Sequence, residues 1–275
     1  MKKALTIGTM AAAMGGLFSA SAVAAVSVYE GFAYPTDSVL NGQSGGEGFT
    51  GPWDDLSSGD INTISGTGLT YGALQTAGGS LLLGSPGGDE IQRSFTPIPA
   101  VNGNTEWIGF LLRFDEAKGP LNTGIAISLT VGGALGSGDA PRIGVFTNEE
   151  NENVFGVTHW YGDPVFSTVP FLEGVTYLVV TSIEWNTTGT ETLSLFINPD
   201  LGSIPTSPVL TRDDIDIETN QLQSLTVFGW DVIPGWYMDE IRIGSSFSDI
   251  VPIPEPVTGL LVLVGLTAIG FRRRR

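Results

Sequence analysis

The chain of 275 residues has no cysteine and one histidine, His159. Without cysteine there is no disulfide, no thiolate metal centre and no cysteine nucleophile, so the fold must rely on its packed core or on bound ions. A single histidine cannot build a histidine-rich metal site. Set beside Trp160 and Tyr161, His159 reads as a core or rim residue. Cations are scarce as well. Six of the twelve Lys and Arg lie at the two ends, and residues 26–253 keep only Arg93, Arg113, Lys118, Arg142, Arg212 and Arg242 against 28 carboxylates, a net charge of −22. Such a surface repels phosphates at long range, which excludes nucleic acid as a partner and suits solubility outside a cell. Neutral glycans and divalent cations stay open.

Amphipathic helices are also missing between the ends. In their place stand short β-rich runs punctuated by Gly, Pro, Asn, Asp and Ser, with 38 glycines to make turns. The clearest runs are 27–32, 80–83, 91–96, 107–114, 125–131, 142–146, 154–158, 175–185, 192–198, 224–230 and 237–244. That many strands without helices predicts an all-β, two-sheet antiparallel sandwich or a barrel. Tyr177, Val179, Thr181, Ile183 and Trp185 share one face of their run, while Leu178 and Val180 make the other face apolar too. The run with Ile108, Phe110, Leu112 and Phe114 behaves alike, as inner strands of stacked sheets do. The prolines at 97–99 and 205–208 are expected in joints between strands, where the missing N–H does no harm.

The two ends differ from this middle. Lys2 and Lys3, a small-residue apolar stretch and Ser19 to Ala25 form the three parts of a secretory signal peptide, residues 1–25, for a signal peptidase to remove. Near the other end Pro254, Glu255 and Pro256 precede an uncharged span, 257–271, and Arg272, Arg273, Arg274 and Arg275 follow it. Arginines beside such a span stay cytoplasmic, which puts residues 26–250 across the inner membrane. As a helix the span reaches about 22 Å, short of the roughly 30 Å hydrocarbon core, so it suits a transient transmembrane anchor. Residues 251–275 closely resemble the sorting signal of PEP-CTERM proteins, the substrates of exosortases. The resemblance implies cleavage near Pro254–Pro256 and delivery to the cell surface or an extracellular polysaccharide matrix.

A second, looser resemblance covers most of residues 26–250. Tyr29-Glu30-Gly31-Phe32-Ala33-Tyr34, the paired runs 177–185 and 193–199, and Met238-Asp239-Glu240-Ile241-Arg242-Ile243-Gly244 look like concanavalin A-like, laminin-G-type jelly rolls. That fold implies that its first and last strands pair, bringing residues 27–34 to 237–244.

Chemistry is thin. Asp214, Asp216 and Glu218 would share one face of an extended segment, and their spacing resembles the catalytic strand of laminarinase-like glycoside hydrolases. The resemblance implies Asp214 as nucleophile, Asp216 as helper and Glu218 as acid/base, a retaining pair. The pattern departs from that family in its Asp nucleophile and in Arg212 and Asp213 just upstream, which favours reading it as an acidic edge strand or loop charged against pairing. Trp160 and Tyr161 are the candidate glycan-stacking residues, with Trp53, Trp230 and Trp236 as further aromatics. Oxygen-rich residues 53–62 could take calcium, although no EF-hand spacing occurs and no other cofactor is implied. The expectation is an exported, exosortase-processed, non-catalytic surface or matrix protein, with glycan as an open candidate ligand and the hydrolase as the alternative.

Overall fold

The structure, a computed structural model, describes residues 26–56, 62–83, 89–115, 124–130, 141–158, 164–217, 221–229 and 235–252. Strands β1 (Val28–Glu30), β2 (Asp54–Asp55), β3 (Thr63–Ser65), β4 (Ser80–Leu83), β5 (Asp89–Pro99), β6 (Thr105–Phe114), β7 (Ile125–Thr130) and β8 (Arg142–Thr147) make the first half. β9 (Asn153–Thr158), β10 (Val165–Pro170), β11 (Tyr177–Glu184), β12 (Glu191–Ile197), β13 (Leu210–Ile215), β14 (Gln221–Gly229) and β15 (Trp236–Gly244) make the second, before a four-residue helix α1 (Phe247–Ile250). All-β architecture is as expected. The strands form two antiparallel sheets, an eight-stranded one ordered β13-β12-β11-β6-β15-β4-β3 with β1 also on β15, and a seven-stranded one ordered β10-β9-β8-β7-β14-β5-β2.

The two sheets close over one apolar core because alternate residues of each strand point inward. Ile108, Phe110, Leu112, Val179 and Ile183 from the eight-stranded sheet meet Ile127, Leu129, Ile143, Val145, Leu225 and Val227 from the other. The predicted closure of first on last strand holds: Val28 lies opposite Ile243 and Glu30 opposite Ile241. β11 pairs with β12 as the two runs suggested.

The second apolar face of β6 and β11 has a different cause from the one expected. Trp107, Leu111, Leu178 and Val180 point away from the sandwich and are covered by residues 66–79, between β3 and β4, and by the segment holding α1. Leu69, Leu74, Phe247, Ile250 and Val251 complete this second small core. Burying each such side chain stabilises the fold by about 1.5–3 kcal/mol. Gly109 leaves room for Ile250, whose Cδ1 would lie 3.2 Å from an added Cβ, and Gly244 leaves room for Asp249, whose Cβ would lie at 2.4 Å.

Strands β2, β3 and β10 were not legible, being short or bounded by proline. Pro97 and Pro99 are not in a joint. They lie in the last residues of β5, Pro97 within and Pro99 just past a register shift against β14 that relaxes the ladder there. The prolines at 205–208 do fall between β12 and β13. Among the described residues no helix is long and apolar enough to cross a membrane. The expected signal helix, the transmembrane helix, Pro254, Glu255, Pro256 and Arg272 to Arg275 lie outside the described residues.

Candidate functional site

The acidic strand is the edge of the eight-stranded sheet. Opposite Glu191–Leu193, β13 spends one extra residue, so its alternation breaks and both Asp213 and Asp214 face solvent. Arg212 turns inward and reaches back to Asp214 in a bidentate pair, Nε to Oδ1 at 2.8 Å and Nη2 to Oδ2 at 2.7 Å. Asp216 is exposed between buried Ile215 and Ile217, so it does share the solvent side with Asp214. Glu218 lies outside the described residues. The carboxylate assigned to nucleophilic attack thus has both oxygens engaged by a guanidinium, at a solvated sheet edge.

Two of the proposed sugar-stacking tryptophans are core residues. Trp53 is 1% exposed, donates Nε1–H to Glu30 at 3.0 Å and stacks on Phe32; Trp236, equally buried, stacks on Phe114 and Phe171. Their large apolar area makes burial the stronger demand. His159, Trp160, Tyr161 and Trp230 lie outside the described residues. In the proposed calcium segment Trp53 points inward and Asp54–Asp55 form β2, while residues 57–61 are outside the described set. Among the described residues no group of three acidic or histidine side chains could hold a metal ion.

The outward side of the seven-stranded sheet is a different matter. Ser224, Thr226 and Phe228 alternate with core residues Leu225 and Val227, so they point away from the sandwich. Register then aligns one polar residue per strand: Asp54 opposite Gln92, Gln92 opposite Thr226, Thr226 opposite Ser128, Ser128 opposite Arg142, and Arg142 opposite Thr158. At roughly 4.8 Å between neighbouring strands this row is about 24 Å long. Gln92 donates to Thr226 Oγ1 at 3.0 Å, and the Arg142 guanidinium lies 4.5 Å over the Phe228 ring. All members but Asp54 are buried, with exposures of 9% or less, so the row is shielded from solvent in this structure. Burial pulls Arg142 down to about 10, against the opposing effect of nearby Glu90, whose own carboxyl burial pushes up. Amide, hydroxyl and guanidinium groups in a line are donors and acceptors suited to hydroxyl-rich ligands.

Two further polar groups are internal. Glu30 accepts from Phe32 N, Tyr34 Oη, Trp53 Nε1 and Arg93 Nη1, which ties β1 to β5 at one end of the core. Burial and the adjacent Glu30 carboxylate push the Tyr34 hydroxyl up to about 12. Asp239, Glu240 and Arg242 form the second group, outside the eight-stranded sheet. A shallow cavity of about 250 Å³ lies in the β12–β13 loop, lined by Phe196, Pro199, Ile204 and Pro205 among others.

No protein-family model and no curated protein matches the chain. Among solved structures, the globular domain of T. cruzi calreticulin is similar, at a TM-score of 0.54 and 14% identity over 90% of this chain and 95% of that one. An endo-β-1,4-glucuronan lyase from the fungus Trichoderma reesei aligns at a TM-score of 0.49 and 14% identity, over 83% of this chain and 99% of that one. The carbohydrate recognition domain of Emp46p aligns at 0.45 and 10% identity, over 63% and 85%. At these identities the likeness is one of fold. It agrees with the concanavalin A-like jelly roll that the strand pattern suggested.

Sequence reasoning missed the polar row. Its only local trace is the alternation of Ser and Thr with apolar residues in β7 and β14, and nothing in one strand tells which residues of other strands stand beside them.

Proposed function

We propose that this chain is an exported, non-catalytic surface or matrix protein that holds a glycan along the outward face of its seven-stranded sheet. The observation carrying the glycan reading is the row Gln92, Thr226, Ser128, Arg142 and Thr158, aligned across neighbouring strands; its members are buried, so binding requires that this face be uncovered. Trp160 and Tyr161 come two and three residues after Thr158 in the chain, and they are proposed as the glycan-stacking residues. The engagement of Asp214 by Arg212 supports binding without hydrolysis. Export rests on the signal-peptide pattern of residues 1–25, and surface release on exosortase processing at Pro254–Pro256.

Affinity electrophoresis through gels containing soluble β-glucan or extracted matrix polysaccharide tests the binding. Wild type is expected to be retarded without releasing reducing ends, and Arg142→Ala or Trp160→Ala to weaken retention about tenfold, the loss of one charged hydrogen bond or one stacked ring. Unretarded wild type in every gel, or release of reducing ends, would overturn the reading. For sorting, mass spectrometry of surface-shed protein from a host with an exosortase is expected to find no peptide from residues 257–275. Recovery of that segment on the shed form would remove the exosortase step.

A further inference from the structure

Residues 66–79 cross the outside of the eight-stranded sheet as a strap with no charged side chain of its own. What fastens it is a set of three polar residues on β15, Asp239, Glu240 and Arg242, with the core residue Ile241 between the last two. Against β6, β15 spends an extra residue between Asp239 and Arg242, and Glu240 takes φ +55°, a left-handed conformation that a non-glycine residue adopts at a cost. The bulge puts Asp239, Glu240 and Arg242 all on the strap side. Asp239 Oδ2 accepts from Leu69 N at 2.8 Å, Glu240 Oε1 accepts from Ala77 N at 2.6 Å, and Arg242 Nη2 donates to Gln75 O at 2.6 Å and to Glu240. Gln75 N in turn donates to Pro252 O at 3.2 Å, so the strap also holds the end of the α1 segment.

The charges do not balance. Two carboxylates, neither more than 1% exposed, stand beside one guanidinium, which pairs with Glu240, while the Asp239 oxygens accept only from Leu69 N and Glu240 N. Among the described residues, the other groups facing them are the Tyr29 hydroxyl from β1, which donates to Glu240, and Leu111 and Gly109 from β6; Tyr71 is the strap's only titratable side chain, and the α1 carboxylate, Asp249, is occupied by Ser246 N. No second cation is among them.

We propose that this cluster is a proton-operated latch, in which a proton held by the Asp239–Glu240 pair keeps the strap seated and its loss to solvent lets the strap lift. Burial, with Glu240 alongside, pushes Asp239 from 3.8 up to about 8, and Glu240 is raised too. The seated form therefore keeps a proton that the lifted, solvated form gives up. The latch is at full strength below the ordinary carboxylate range and weakens as pH rises toward 8, the opening equilibrium growing about tenfold per pH unit through that window. Lifting exposes the apolar face around Leu69 and Leu74 and frees the chain just ahead of Pro254.

Hydrogen exchange of the strap amides, above all Leu69 and Ala77, tests this in wild type and in Asp239→Asn, which carries no titrating proton. Taking the ratio of the two at each pH cancels the base catalysis of exchange itself. Wild type is expected to open progressively more than the variant as pH rises toward about 8, while the amides of β11 and β14 keep a constant ratio. A strap ratio that does not change with pH overturns the latch. Should Asp239→Asn fail to fold, carbon-13 titration of the wild-type carboxyls decides: an Asp239 midpoint near 8 supports the latch, and one in the ordinary carboxylate range overturns it.

Discussion

Outside the eight-stranded sheet, Trp107, Leu111, Leu178, Val180 and Phe196 lie under the strap and α1. Outside the seven-stranded sheet, the equivalent layer is Gln92, Thr226, Ser128, Arg142 and Thr158. Both layers are buried, but one is made of apolar side chains under the strap and α1 and the other of hydrogen-bonding groups. The cation on each side makes the contrast concrete. Arg242 sits between two buried carboxylates and the strap backbone, so it serves the fold; Arg142 lies over Phe228 within a line of hydroxyls, near the half-buried Glu90. Apolar burial on one side of the sandwich frees the other to carry polar groups, because stability no longer needs that face to be greasy.

The largest effect expected from this difference is on Arg242. Arg242→Met leaves Asp239 and Glu240 buried without a counter-charge and is expected to cost about 3–5 kcal/mol in urea denaturation. The contrast would collapse if Arg142→Met cost as much, since the outward polar layer would then be structural too. A smaller effect sharpens the comparison from the other side. Thr226→Val keeps the shape of the side chain but removes the acceptor of Gln92 Nε2, and is expected to lower stability by only about 1 kcal/mol while reducing retention on polysaccharide. A stability loss equal to that of Arg242→Met would assign the row to the core.

The sequence by itself determined the class of fold. Period-two alternation, glycine and proline punctuation and the absence of amphipathic helix located the longer strands, and the acidic character of Asp213 and Asp214 marked β13 as an edge. Those features are local, set by which residues of one strand share a side. What only the tertiary structure decided is non-local. The polar row joins residues from Asp54 to Thr226, and no strand's own pattern carries its register against the next. The bulge at Glu240 sends Asp239, Glu240 and Arg242 to one side against the alternation, and the assembled sheets put Trp53 and Trp236 in the core. Strand order and bulges follow from contacts between distant segments, whose free energy is a property of the assembled sheets and not of any stretch of chain.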